Sequence, residues 1–251
     1  MDFITGNKFK KYCHYTLDEA GFVKHSEPSL GEVLRIFVKV DYVNHFFGLN
    51  IDRPYVLFTH NGDLPVDDNY LRYMDNPNLL KWYGQNIMTH HPKLVSIPIG
   101  LGNEIWPHGD ENVFNEVIHQ NLEKERLIYV NFDVNTNRRE RNYCLSEVNK
   151  RGLEMDVKLP FKNYLEEVAK SYFVVSPNGN GVDCHKTWEA LYLKTIPIVT
   201  SSINVDFYKD YPLMVINNWE DFDPSIYTIE LYKKIWADFD PITLNINHFI
   251  K

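Results

Sequence analysis

"SPNGNGVDCHKTWEALYLKTIPIVTSS", residues 176–202 of the 251-residue chain, carries the reading that decides the fold. The apolar run "YFVV" leads into Ser176, and a turn built from Asn178, Gly179, Asn180 and Gly181 follows. Helix-compatible spacing then runs over residues 183–194, ahead of a second apolar run at residues 196–200. Strand, loop, helix and strand in that order make a βαβ unit, with parallel strands joined by a right-handed crossover.

Working outward, short apolar runs bounded by turn signals recur along the chain, as buried parallel strands do. The expected strands in the first half are residues 34–40, 55–59, 95–99 and, more weakly, 80–83. In the second half they are 127–132, 155–159, 172–176, 196–200 and 213–216, alternating with helices expected at 138–150, 164–170 and 183–194. The polar stretch 107–126 falls between the two sets and reads as a linker. The expected class is α/β, with two small Rossmann-like domains whose parallel sheets face a central cleft. Residues 1–115 and 116–225 would form the domains, and the tail 226–251 would cross back over the first. In such folds ligands bind beyond the carboxyl ends of the strands, where the Gly/Asn loop falls.

Bulk properties narrow the function. A net charge of −8 and a pI near 5.7 argue against non-specific nucleic-acid binding, which needs basic patches. No apolar run approaches the length of a membrane span, and no apolar segment follows the basic start as in a signal peptide. Cys13, Cys144 and Cys184 are scattered and odd in number, which fits neither a disulfide framework nor a zinc knuckle. A soluble protein of the reducing cytoplasm is the expectation. The aromatic content of 14% suits sugar stacking but is more commonly core packing.

In the quoted stretch, Gly179 and Gly181 let backbone N–H groups approach a ligand, and the following helix adds its positive end. Asp183 is placed as the helix N-cap. The spacing is neither a P-loop nor a dinucleotide fingerprint. Lys186 and Glu189, three apart, share a helix face; on spacing alone they are a surface ion pair. The basic run "NRRER", with Arg138, Arg139 and Arg141, changes the balance, because it follows the strand expected next to the one ending at Ser176. Arginines at a helix start oppose the dipole, and their forks suit phosphate. Two phosphate-suited loops at adjacent strand ends suggest a diphosphate.

At this point the residues resemble a known family. "YFVVSPNGNGVDCHKTWEALYLKTIPIV" resembles the core motif of exostosin-like glycosyltransferases, and "LIYVNFDVNTNRRER", "LFTHNGD" and "SIPIGL" are similar to segments of soluble viral and bacterial members. The resemblance spans roughly residues 34–220. It implies a GT-B fold, a nucleotide-sugar donor, with uridine the expected base, held by the C-terminal domain, and a glycan acceptor held by the N-terminal one. It further implies an inverting transfer with no required cofactor or metal. By the same resemblance Lys186 stands where an arginine is usual, which shifts diphosphate binding toward Arg138 or Arg141. Glu189 would hold the ribose, Tyr164 would lie at the base, and Ser176 with residues 178–181 would form the donor loop.

An inverting transfer needs a base for the acceptor hydroxyl. "LFTHNGDLP" supplies Asp63 and His60, and Asp41 follows "IFVKV"; the order of preference is Asp63, Asp41, His60. Each is also a plausible loop cap. His90 and His91 lack neighbouring ligands at metal spacing. The Asp-x-Asp pairs in "EDFDPS" and "ADFDPI" read as caps before proline. Two rival readings stay open: a nucleotide-sugar epimerase or phosphorylase on the same fold, and a non-catalytic carbohydrate-binding protein.

Overall fold

The computed structural model describes residues 2–250. The first half contains α1 (Gly6–Tyr12), β1 (Tyr15–Asp18), β2 (Gly21–Lys24), β3 (Leu34–Lys39), α2 (Val43–Phe47), β4 (Tyr55–His60), β5 (Leu79–Gly84) and β6 (Leu94–Ser96). The second contains α3 (Glu111–Gln120), β7 (Arg126–Tyr129), α4 (Arg138–Lys150), α5 (Phe161–Ala169), β8 (Ser171–Val175), α6 (His185–Tyr192), β9 (Ile196–Thr200), α7 (Ile203–Asp206), β10 (Met214–Ile216) and α8 (Ile229–Ala237). The strands form a six-stranded sheet, β2-β1-β3-β4-β5-β6, and a four-stranded one, β10-β9-β8-β7. Every pairing is parallel except β1 with β2. Among the described residues no helix is long and apolar enough to cross a membrane.

Both sheets are buried on two faces, so their strands read as continuous apolar runs. On β3, Ile36 and Val38 join Val43, Phe46 and Trp82 on one face, while Phe37 joins Phe9 and Phe58 on the other. On β8, Val174 packs with Trp188 and Leu165 of α6 and α5, and Phe173 and Val175 pack with Cys144 and Val148 of α4. The last residues reach the first sheet: Ile246 enters the cluster of Phe9, Phe37 and Phe58, and its N–H donates to Asp2 O at 3.1 Å.

Three expectations are corrected, and two unexpected features appear. Residues 155–159 form no strand. Asp156 N–H donates to Val130 O, but Met155 and Val157 are exposed, because no layer covers this edge of β7. Residues 107–126 are no bare linker: α3 buries Phe114 and Val117 in the core of the second sheet. The β1–β2 hairpin and α1 were not expected, since their runs are short and half polar. Asp183 is not the N-cap of α6; Cys184 is, without a side-chain bond.

Polar groups join the sheets. Asp183 Oδ2 accepts from Ile99 N–H at 2.7 Å, and Asn86 Oδ1 accepts from Asp183 N–H at 2.9 Å. Tyr192 OH accepts from Ile4 N–H and donates to Leu244 O, both at 2.9 Å.

Candidate functional site

Parallel β7, β8 and β9 end on one side, and the loops that leave them face the loops after β4 and β6. Between them lies a cleft of about 760 Å³. Asp63, Ile99, Pro107 and His108 line it from the first half of the chain; Arg141, Tyr164, Gly179, Asn180, Gly181, Lys186 and Glu189 line it from the second.

The centre of the second wall is a chain of three side chains. Lys186 Nζ donates to Tyr164 OH at 2.7 Å, and Tyr164 OH donates to Glu189 Oε2 at 2.8 Å. The Lys186 ammonium also lies 4.2 Å from the Tyr164 ring centroid, a cation–π contact. Burial pulls the Lys186 amine down to about 8, opposed by the Glu189 carboxylate. Burial, with Glu189 next, pushes the Tyr164 phenol well above its ordinary value, so it stays protonated. Lys186 and Glu189 are thus coupled through Tyr164 rather than paired at the surface.

The Gly/Asn loop packs around this chain. A Cβ on Gly181 would lie 2.6 Å from Asn86 Nδ2, so that position is closed by the opposite wall. A Cβ on Gly179 would meet nothing nearer than Arg141 at 3.5 Å, which leaves room for a ligand against the backbone. Asn86, in the left-handed region at φ 55°, also donates to Asp63 O at 3.3 Å. One asparagine therefore ties the Asp63 loop, the Gly loop and Asp183 together.

Of the arginine run, Arg141 alone lines the cleft. It is buried on the α4 face that carries Cys144 and Val148. Its Nε and Nη1 donate to Asn178 O at 2.9 Å and Asp133 O at 2.8 Å, so much of its fork holds two loops in place. Arg138, one turn earlier, is exposed, and its Nε donates to Asn135 Oδ1 at 3.1 Å. Of the two arginines expected at the diphosphate, Arg138 lies outside the cleft lining and Arg141 within it.

The candidate bases separate as clearly. Asp63 is exposed and lines the cleft. Asp41 lies outside the lining, with Oδ2 3.8 Å from Lys39 Nζ. His60 is buried: Asn61 N–H donates to Nδ1 at 2.8 Å, and Nε2 lies 3.1 Å from Pro98 O, which can only accept. The ring is therefore the neutral Nε2–H tautomer, and burial brings it down to about 4. Ser176 and Asn178 also lie behind the wall. The Ser176 hydroxyl is 3.0 Å from that of Thr187, and Asn178 acts through its carbonyl.

Sequence reasoning missed Asn86, Asp183 as a bridge, His108 and His185. Burial pushes the Asp183 carboxyl up to about 6, though three N–H groups bond it. His185 Nδ1 lies 2.8 Å from Gly100 O, so that nitrogen carries a proton and donates. The rings of His185 and His108 are 5.8 Å apart in the cleft. Their signal was present in "DCHK" and "WPHGD", but no single spacing marks a contact across two walls. His90 packs near Phe207, and His91 Nδ1 accepts from Lys93 N–H. Asp223 and Asp240 cap the 3-10 turns that their prolines open. Among the described residues no group of three potential metal ligands converges.

No protein-family model and no curated protein matches this chain.

Proposed function

We propose that the chain is a glycosyltransferase of GT-B type, moving a sugar from a nucleoside diphosphate, with uridine the expected base, to a glycan hydroxyl. The observation that carries the reading is the Lys186–Tyr164–Glu189 chain beside the open backbone of Gly179, at the carboxyl ends of parallel strands. A desolvated ammonium next to free backbone suits a diphosphate, which would restore the charge that burial disfavours. Glu189 Oε2 is held by Tyr164, and its other oxygen is left to accept from a ribose hydroxyl.

In the transfer, the acceptor oxygen attacks the anomeric carbon opposite the leaving group. The bond from that carbon to the diphosphate oxygen breaks, and its electron pair leaves with the nucleoside diphosphate, next to Lys186. The hydroxyl proton passes to the carboxylate of Asp63, and attack from the opposite side inverts the anomeric configuration. Asp63 takes this role because it is the one of the three candidate bases that lines the cleft.

The reading is tested by thermal shift with UDP, GDP, ADP and TDP, each with EDTA and with Mn²⁺. A stabilisation selective for one nucleotide and surviving EDTA is the expected result; none with any nucleotide overturns it. A shift seen only with Mn²⁺ overturns the metal-free form of the proposal. Asp63→Asn is expected to keep nucleotide binding and lose turnover.

A further inference from the structure

Beside the cleft runs a second groove, also of about 760 Å³. Pro107 lines both, so the two adjoin at that residue. Its lip is the exposed run "EIWP", in which Ile105 is 72% and Trp106 54% exposed. Trp82, Trp188 and Trp219 are all buried. An indole left in water on a hydrogen-bonded loop offers a face to a ligand, and this loop is closed by two backbone bonds. Trp106 N–H donates to Asn103 O and Gly109 N–H donates to Trp106 O, both at 2.9 Å. The indole lies within 13° of the plane of the His108 ring, which itself lines the cleft.

The charges of the groove choose its occupant. Lys8 is held by Asp2 at 2.8 Å and Glu111 at 2.7 Å, so its ammonium is already neutralised. The remaining ionisable side chains of the lining are carboxylates, among them Glu104 and Asp110. Lys11 Nζ donates to Glu104 Oε1 at 3.3 Å, which leaves Oε2 to accept, and Asp110 Oδ1 accepts from Asn112 N–H at 2.9 Å. Such a lining repels phosphate and sulfate and accepts hydroxyls.

We infer that Trp106 is the platform of a sugar-binding subsite for a neutral pyranose. The apolar C–H face of the ring would lie on the indole and its hydroxyls would donate to Glu104 and Asp110. The inference rests on the transferase reading for one point alone: the pyranose is an outer unit of the acceptor, threaded over Pro107 toward the cleft.

The test reads sugar binding directly. Iodide quenching of tryptophan fluorescence reports the exposed indole, and is measured with cellobiose, lactose, xylobiose and mannobiose at millimolar concentration. At least one disaccharide is expected to protect the wild type. Trp106→Ala should weaken its affinity about tenfold or more, and Trp106→Phe much less, since a smaller ring keeps part of the stack. Thermal stabilisation by UDP is read in parallel and should be equal in all three proteins. Absence of protection by every disaccharide, or equal affinity in Trp106→Ala, overturns the subsite even when UDP binds. Protection in a protein that no nucleotide stabilises upholds the subsite and removes the transferase reading.

Discussion

Replacing Lys186 by Met separates stability from binding. The substitution keeps most of the stem and deletes the ammonium that burial has brought from 10.5 down to about 8. The full shift corresponds to about 3 kcal/mol at 1.36 kcal/mol per unit. The side chain is partly exposed, so the relief to expect on removing the charge is about 2 kcal/mol. Loss of the 2.7 Å bond to Tyr164 takes back about 1 kcal/mol. The ligand-free variant should therefore be more stable by about 1 kcal/mol, or roughly 2–4 °C in Tm for a chain of this size. Because the folded amine titrates below its unfolded value, the wild-type penalty is fully present below pH 8. It fades as pH rises toward 10.5, and the advantage of the variant should fade with it. Nucleotide binding should move the other way. A lost charge-assisted contact of about 1.5–3 kcal/mol weakens UDP roughly 10- to 150-fold. At a concentration giving wild type about 2.7 kcal/mol of stabilisation, a variant weakened roughly thirtyfold gains about 0.9 kcal/mol. Differential scanning fluorimetry with and without UDP measures both. A variant that is less stable alone and equally stabilised by UDP refutes the reasoning.

Other substitutions probe other parts of the site. Burial holds His60 neutral to about pH 4, below its unfolded value, so its contribution is present above pH 6.5 and is lost as pH falls through 4. The difference in Tm between wild type and His60→Gln should change by up to about 3 kcal/mol equivalent over that window, and a flat difference would remove the buried-histidine account. Gly181→Ala should cost about 2 kcal/mol or more through its clash with Asn86. Gly179→Ala should leave Tm within about 0.5 kcal/mol equivalent and still weaken UDP, so equal UDP affinity would place the ligand elsewhere. Glu189→Ala should weaken UDP by about tenfold while erasing any preference for UDP over its 2′-deoxy analogue. A preserved preference would take the ribose away from Glu189.

Much of the fold was legible because parallel strands buried on both faces are written as apolar runs with few competing readings. Residues 34–39, 55–60, 171–175 and 196–200 are of that kind, and α4 occupies the expected 138–150. The misses share a cause. Residues 155–159 have strand composition but no layer to bury against, and α3 looks polar because few of its residues face inward. The second wall of the site was legible in part: Lys186, Glu189 and Gly179 come from one local run, and Arg141 and Tyr164 join them. Helix spacing could not tell which of Arg138 and Arg141 lines the cleft, because only Arg141 falls on the buried face of α4.

The sequence by itself determined the α/β class, the parallel second sheet and the Gly/Asn loop at the carboxyl end of β8, since these follow from local periodicity and turn chemistry. Tertiary structure alone decided which polar residues meet. Asn86 reaches Asp183, Ile99 reaches Asp183 and His185 reaches Gly100 across the two walls. Such contacts depend on how two sheets dock, and that is set by the summed packing of many apolar side chains rather than by any one spacing along the chain.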